Sequence, residues 1–378
     1  MDISGARQLF EIPDEVSYFN CASLSPQLIN VTNTGIHHLQ KKTSPWEIHP
    51  ADWFSGAEEL RTQAAKIINT DANSIAIIPA VSYGISIAAA NIPVSKGQQI
   101  IVMDEEYPSN YYAWKELAIK NMAELVTVIK GDTNWTTALL NAIGEKTAIV
   151  AVSNCHWTNG AMVDLVKIGE KVRSFGAAMV IDASQAMGAH PIDIQVIQPD
   201  FLMAVGYKWL LGPYALGYLY ASEKWQKKGR PIEYSWLTKQ GSEDFANLVK
   251  YRDDFRDGAR RFDMGEFPSF INVPMATAAL KQINEWGVPM IKKALSKFTA
   301  EIASQATEIG LKIPETNERA DHMIGIDLPD NIPGSLKGEL QSQKIFVGFR
   351  GKSIRVSPYL YNTKNDIDRL MKVIRKYA

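Results

Sequence analysis

Two charged residues stand where a layered α/β chain does its chemistry. The run Ala178-Met-Val-Ile-Asp182 reads as an apolar strand that ends in a carboxylate, and Asp200-Phe-Leu-Met-Ala-Val-Gly-Tyr-Lys208 as a second strand that ends in an ammonium. Ligands of α/β sheets sit just beyond the carboxyl ends of strands, so Asp182 and Lys208 could face one crevice and there stabilise charge and move protons. A structural ion pair is the plainer reading of the same two residues. Upstream, Ala80-Val81-Ser82-Tyr83-Gly84 lies between a strand and a helix start, where backbone N–H groups and a hydroxyl receive a phosphate. An ordinary helix cap is the alternative. Other phosphate loops do not fit: no Gly-x-Gly-x-x-Gly follows the first buried strand, and Gly348-Phe-Arg-Gly-Lys-Ser353 is two residues short of a Walker loop. The six histidines, His37, His38, His49, His156, His190 and His322, show no ligand spacing, and no metal site is expected.

The elements that position these residues alternate along the chain. Apolar strand candidates are 74–78, 99–103, 123–129, 147–153, 178–181, 201–204 and 216–220, with helices such as 110–121 and 164–175 between them. Strands nearly free of polar residues are buried on both faces, which implies an α/β fold with a mostly parallel sheet. After Gly265 the pattern becomes a long helical segment over 273–309, short strands around 323–328 and 354–356, and a last helix from Asp366, a second α+β unit. The expected division is a large unit over 15–265 and a small one made of 1–14 and 266–378. At 378 residues, 46% hydrophobic and 21% charged, the chain has material for a large core. Forty basic against forty-one acidic side chains leave a net charge of −1, which favours neither nucleic acid nor an anionic membrane as partner. A polar start, no spanning segment and two cysteines, Cys21 and Cys155, imply a cytoplasmic protein.

The ordered set Asp182-Ala-Ser-Gln185, Asp200-Phe, Tyr207-Lys208-Trp209-Leu210, Gly212-Pro213 and Gly217-Tyr-Leu-Tyr220 resembles the class V aminotransferase-type enzymes that use pyridoxal 5'-phosphate (PLP), the group of cysteine desulfurases, kynureninases and isopenicillin epimerase-like proteins. The resemblance covers nearly the whole chain and implies fold type I of PLP-dependent transferases. It implies that Lys208 binds the cofactor covalently, is displaced by the substrate amine as an external aldimine forms, and then moves a proton at the α-carbon. Asp182 would keep the cofactor's ring nitrogen protonated, and Gln185 would bond its phenolic oxygen. Ser82 and Val81 fall in the family's phosphate loop. Tyr107, in Glu106-Tyr107-Pro108-Ser109-Asn110, falls where an aromatic covers the ring. Asn154 matches a contact near the phenolic side. Arg355, in Ile354-Arg355-Val356-Ser357, matches the arginine that grips the substrate's α-carboxylate. Asn20 and Ala22 match a loop lining the substrate pocket. A homodimer is implied too, since both subunits complete the family's site.

Three departures matter. Val205 replaces a serine that binds phosphate in desulfurases, although the phenol of Tyr207 could still reach a phosphate oxygen. Glu266 stands where the family often has threonine, next to the phosphate site, which requires it to turn away or to pair with Arg260 or Arg261. No cysteine lies between Ile345 and Arg355, which disfavours desulfuration through a protein persulfide. The leading expectation is an aminotransferase-like enzyme acting on an amino acid. Carbon–sulfur or carbon–carbon lyase or epimerase chemistry comes second, and a non-catalytic module that binds PLP or an amino acid is the alternative of another class.

Overall fold

The structure is a computed structural model that describes residues 5–328 and 332–378; residues 1–4 of the expected small unit lie outside the described residues. In chain order its strands are β1 Ser17–Tyr18, β2 Ile75–Ile78, β3 Gln99–Met103, β4 Glu124–Val128, β5 Thr147–Ser153, β6 Ala178–Asp182, β7 Phe201–Val205, β8 Gly217–Ala221, β9 Ile324–Asp327, β10 Ile345–Phe346, β11 Gly348–Arg350 and β12 Ser353–Val356. Seven form one sheet in the order β2-β8-β7-β6-β5-β3-β4. Only β8 runs against its neighbours in that sheet, so the expected mostly parallel α/β sheet is present.

Burial on both faces explains the uninterrupted apolar strands. Along β6, Met179 and Ile181 enter the core covered by helices Asp52–Ile67 and Asn272–Trp286, whereas Ala178 and Val180 enter the opposite core beneath helix Val81–Asn91. The same alternation turns Asp182 toward the face that carries helix Val81–Asn91. The order of strands reverses between β3 and β5, and the carboxyl ends of β5, β6 and β7 lie side by side near that switch point. No helix intervenes between β7 and β8, so the chain turns back tightly over 206–216. Leu211 and Ala215 take φ of 54° and 60° in this turn, a conformation that costs free energy for residues with a Cβ and that the tight reversal imposes. Lys208 rides on it.

A smaller antiparallel sheet, β11-β12-β9, and the parallel pair β1-β10 form a smaller group of strands with a core of its own. Its core joins Phe19 to Ile302, Ile324, Ile354, Leu370 and their neighbours. The expected helical segment over 273–309 is two helices, Asn272–Trp286 and Val288–Glu308. Gly287, at φ 77°, ends the first, and Pro289 sits in the first turn of the second, where its missing N–H is harmless. At the amino end, Phe10 packs edge-on against Tyr361 with centroids 5.1 Å apart, and Arg7 donates to the Tyr361 carbonyl at 2.6 Å, which ties the first described residues to the end of the chain.

Candidate active site

The strand ends bring several of the sequence-predicted residues together. Asp182, the last residue of β6, is buried, and the backbone N–H of Ser184 donates to its carboxylate at 2.9 Å. Lys208 is buried as well, 7% exposed, in the turn after β7. The two interact electrostatically but form no ion pair among the described residues, so the structural ion-pair reading has no contact to support it. Burial lowers the Lys208 amine to about 8, with Asp182 pulling it up and Arg355 and Arg350 pushing it further down. Burial raises the Asp182 carboxyl, against Ser184 and Lys208. A neutral amine is therefore available near neutral pH, as a nucleophile requires.

Aromatic rings wall this amine. Its Nζ lies 5.4 Å from the ring centre of Tyr107, in the loop after β3, and 5.9 Å from that of Tyr207. Tyr107 meets Trp157 edge to face at 5.4 Å. Trp157 in turn links the cleft to the small sheet, because Arg355 Nη1 donates to its carbonyl at 2.7 Å. Arg355, on β12, is 1% exposed; it also donates to Asn20 Oδ1 at 3.4 Å, and its Nε has no partner. Burial, then Arg350, lowers its guanidinium to about 10. The loop of Asn20 and Ala22 reaches the same place: Ser357 Oγ accepts from the Ala22 N–H at 3.1 Å, and Gln185 Nε2 donates to the Ala22 carbonyl at 3.1 Å. Gln185 also accepts from Trp209 Nε1, which fixes its amide orientation and leaves one N–H free.

Asn154 follows β5, whose Ser153 pairs with Asp182; its Oδ1 is buried without a partner. Val81 is buried and Ser82 exposed in the first turn of helix Val81–Asn91, whose N-cap, Ala80, supplies no side-chain cap. The helix start thus keeps unsatisfied N–H groups, and the ordinary side-chain cap is not present. This helix packs on β6, β7 and the turn Pro108–Asn110. No contact joins Ser82 directly to Lys208 in the way contacts join Tyr107, Trp157 and Arg355. Glu266 is exposed and pairs with neither arginine; Arg260 instead binds Glu58, and Arg261 donates to the carbonyls of Lys227 and Gly229.

These groups fit PLP on the structure's own terms. A buried amine of lowered basicity, a buried carboxylate without a cation bonded to it, an orphaned Asn154 oxygen and an uncapped helix start are the partners that such a cofactor needs. Sequence reasoning missed three residues of the cleft. Glu106 is buried beside Asp182 with Oε2 unpartnered, and burial, then Asp182, pushes it up to about 8. Trp157 and Arg350 are the others, the guanidinium of Arg350 lying 5.4 Å from the Trp157 ring centre. The turn Gly351-Lys352 was the local signal for the hairpin that presents Arg350.

Comparison with known proteins agrees with this geometry. The family model for aminotransferase class-V matches residues 30–370. The chain is 25% identical over 313 residues to YcbU, an uncharacterised aminotransferase of Bacillus subtilis, with 82% of this chain and 80% of the relative covered. It is 27% identical over 343 residues to a probable cysteine desulfurase of Methanothermobacter thermautotrophicus, covering 85% and 83%. A solved structure of a lysine-to-alanine variant of C-DES, with glycine covalently linked to its PLP cofactor, superposes with a TM-score of 0.88 at 17% identity over 98% of this chain and 99% of that one. Among the described residues no helix is long and apolar enough to cross a membrane. With the fold, the buried lysine and the family match in agreement, the chain belongs to the class-V aminotransferases and is a PLP-dependent enzyme acting on an amino acid.

Proposed function

We propose that the enzyme transfers the amino group of an amino acid held between Lys208 and Arg355. The observation that carries this is the buried Lys208 amine, walled by Tyr107, with Arg355 held to Trp157 on the far side of that ring. PLP, when bound, supplies an electron sink for the substrate's α-carbon. The chain's own residues do the rest. Lys208 would anchor the cofactor and is the group placed to move a proton at the substrate's α-carbon. Asp182 would hold the proton of the ring nitrogen, Gln185 and Asn154 would orient the phenolic side, and Tyr107 would cover the ring face. Val81 and Ser82 would bind phosphate through the N–H groups of the helix start, together with the Tyr207 phenol. Arg355 binds the substrate carboxylate through its fork, steadied by Asn20, while Ala22 lines the pocket.

A carbon–sulfur lyase is the second reading, favoured by the relative described as a probable cysteine desulfurase. The absence of cysteine from residues 345–355 counts against a protein persulfide but not against lyase chemistry as such. Product analysis with a panel of amino acids separates the readings: a 2-oxo acid with the amino group retained on the cofactor supports transfer, and release of a side-chain fragment supports the lyase. The same proposal includes a cytoplasmic homodimer and a division into 15–265 and 1–14 with 266–378. Helix Val288–Glu308 bridges the two, with Ile291 and Leu295 in the large core and Ile302 and Ala306 in the small one. The exposed Ile36, Leu39 and Trp46 support an interface on that surface, and sedimentation of the purified protein tests it.

A further inference from the structure

The hairpin β11-β12 presents two arginines to the cleft, and one α-carboxylate occupies only one of them. Antiparallel partners share a face of a sheet, and so do residues two apart on a strand. Arg350 pairs with Ser353, two residues before Arg355, and Arg355 pairs with Gly348. Both guanidiniums therefore leave the hairpin on one face. Gly348 keeps that face open: a Cβ there would stand 3.1 Å from Arg355 Nε and 3.2 Å from Asn20 Oδ1. Both also converge on Trp157, Arg350 over its ring at 5.4 Å and Arg355 on its carbonyl at 2.7 Å.

Neither arginine has a carboxylate partner among the described residues. Arg350 Nη1 donates only to the neighbouring Phe349 carbonyl, at 2.8 Å, and its Nε is buried with no partner; Arg355 Nε is buried and unpartnered as well. Buried guanidinium N–H groups without acceptors are costly, and a ligand that supplies acceptors removes the cost. With Lys208 and Asp182 committed to the cofactor, Arg350 and Arg355 give the substrate side of the cleft an excess of positive charge, since no carboxylate is bonded to either among the described residues. An amino acid with one carboxylate leaves that excess partly unbalanced.

We propose that the substrate is an amino acid whose side chain ends in a second carboxylate, with the α-carboxylate on Arg355 and the distal one on Arg350 against the Trp157 ring. The proposal rests on the reading of Arg355 given above and adds the substrate class to it. A guanidinium fork distinguishes a carboxylate from its isosteric amide by charge and by paired hydrogen bonds, a difference of roughly tenfold to a hundredfold.

The test has two arms. Holoenzyme is titrated with L-glutamate and L-glutamine, and with L-aspartate and L-asparagine, and the shift of the cofactor's visible band gives half-saturation. Separately, glutarate and pentanoate, which lack the amine, are titrated by calorimetry, so that binding is read without turnover. The expected result is that at least one acid saturates about tenfold or more below its amide and that glutarate binds tighter than pentanoate by a similar factor. In Arg350→Ala both ratios fall to near one, in Arg350→Lys they are intermediate, and in Lys352→Ala, an exposed cation on the same turn, they stay at the wild-type value. Equal half-saturation for acids and amides in the wild type overturns the inference while leaving the amino-acid enzyme intact. A preference that survives Arg350→Ala also overturns it. A holoenzyme whose band responds to no amino acid overturns both this inference and the functional reading beneath it.

Discussion

Glu106→Gln removes an acid that the fold keeps from ionising. The Glu106 carboxyl is buried, accepts from the Tyr107 N–H at 2.8 Å through Oε1, and leaves Oε2 without a partner. Burial first, and the nearby Asp182 second, raise it from 4.5 to about 8. The sign follows from linkage: between pH 4.5 and 8 the folded chain holds a proton that the unfolded chain has released, so stability falls as pH rises across that window. The slope reaches about 1.4 kcal/mol per pH unit, and the whole span, about 3.5 units, is worth on the order of 5 kcal/mol. Glutamine keeps the shape and cannot ionise. Denaturant unfolding of the apo protein at pH 5, 7 and 8.5, at one protein concentration, gives the difference between wild type and Glu106→Gln. The variant gains on the wild type steadily from pH 5 to 8.5. Parallel pH profiles for the two proteins would refute the reasoning.

Three further outcomes follow from the cleft. Asp182→Asn removes the charge that holds the Lys208 amine up, so the pH midpoint for capture of PLP by the apo protein moves below about 8, and cofactor affinity falls roughly tenfold to a hundredfold, both read from absorbance titrations. Arg355→Lys keeps the charge and loses the fork, so KM for the amino acid rises about tenfold or more and kcat changes less, as steady-state kinetics will show. Ser82→Ala removes an exposed hydroxyl that caps nothing, so thermal stability stays within about 0.5 kcal/mol while PLP affinity drops by a factor of roughly three to ten, measured by cofactor titration.

The large sheet was legible because its strands are short apolar runs buried on both faces. All seven appear within a residue of their expected ends, and Asp182 and Lys208 stand at the carboxyl side where such sheets bind ligands. The split of the helical segment at Gly287 was legible in principle, since Trp286-Gly287-Val288-Pro289 carries a stop and a start together. Helix Ile29–Lys41 gave little local signal, because it buries only Val31 and Gly35. Helix Asp52–Ile67 hides its sense differently: Arg61 is buried because Asp263, far along the chain, bonds it at 2.9 Å, and no window of sequence shows that. The cleft divides the same way. Residues in contiguous motifs can be singled out from sequence, whereas Glu106, Trp157 and Arg350 acquire their place from separate elements meeting in space.

The central claim is that Lys208 holds the cofactor covalently, and the visible absorption spectrum of purified protein with PLP tests it most directly. Wild type should show the band of lysine-linked cofactor, stable to gel filtration and shifted by a responding amino acid. Lys208→Ala should show only the band of free or loosely held PLP. A band of the same position and stability in Lys208→Ala, or its absence in a folded wild-type protein saturated with PLP, would contradict the account.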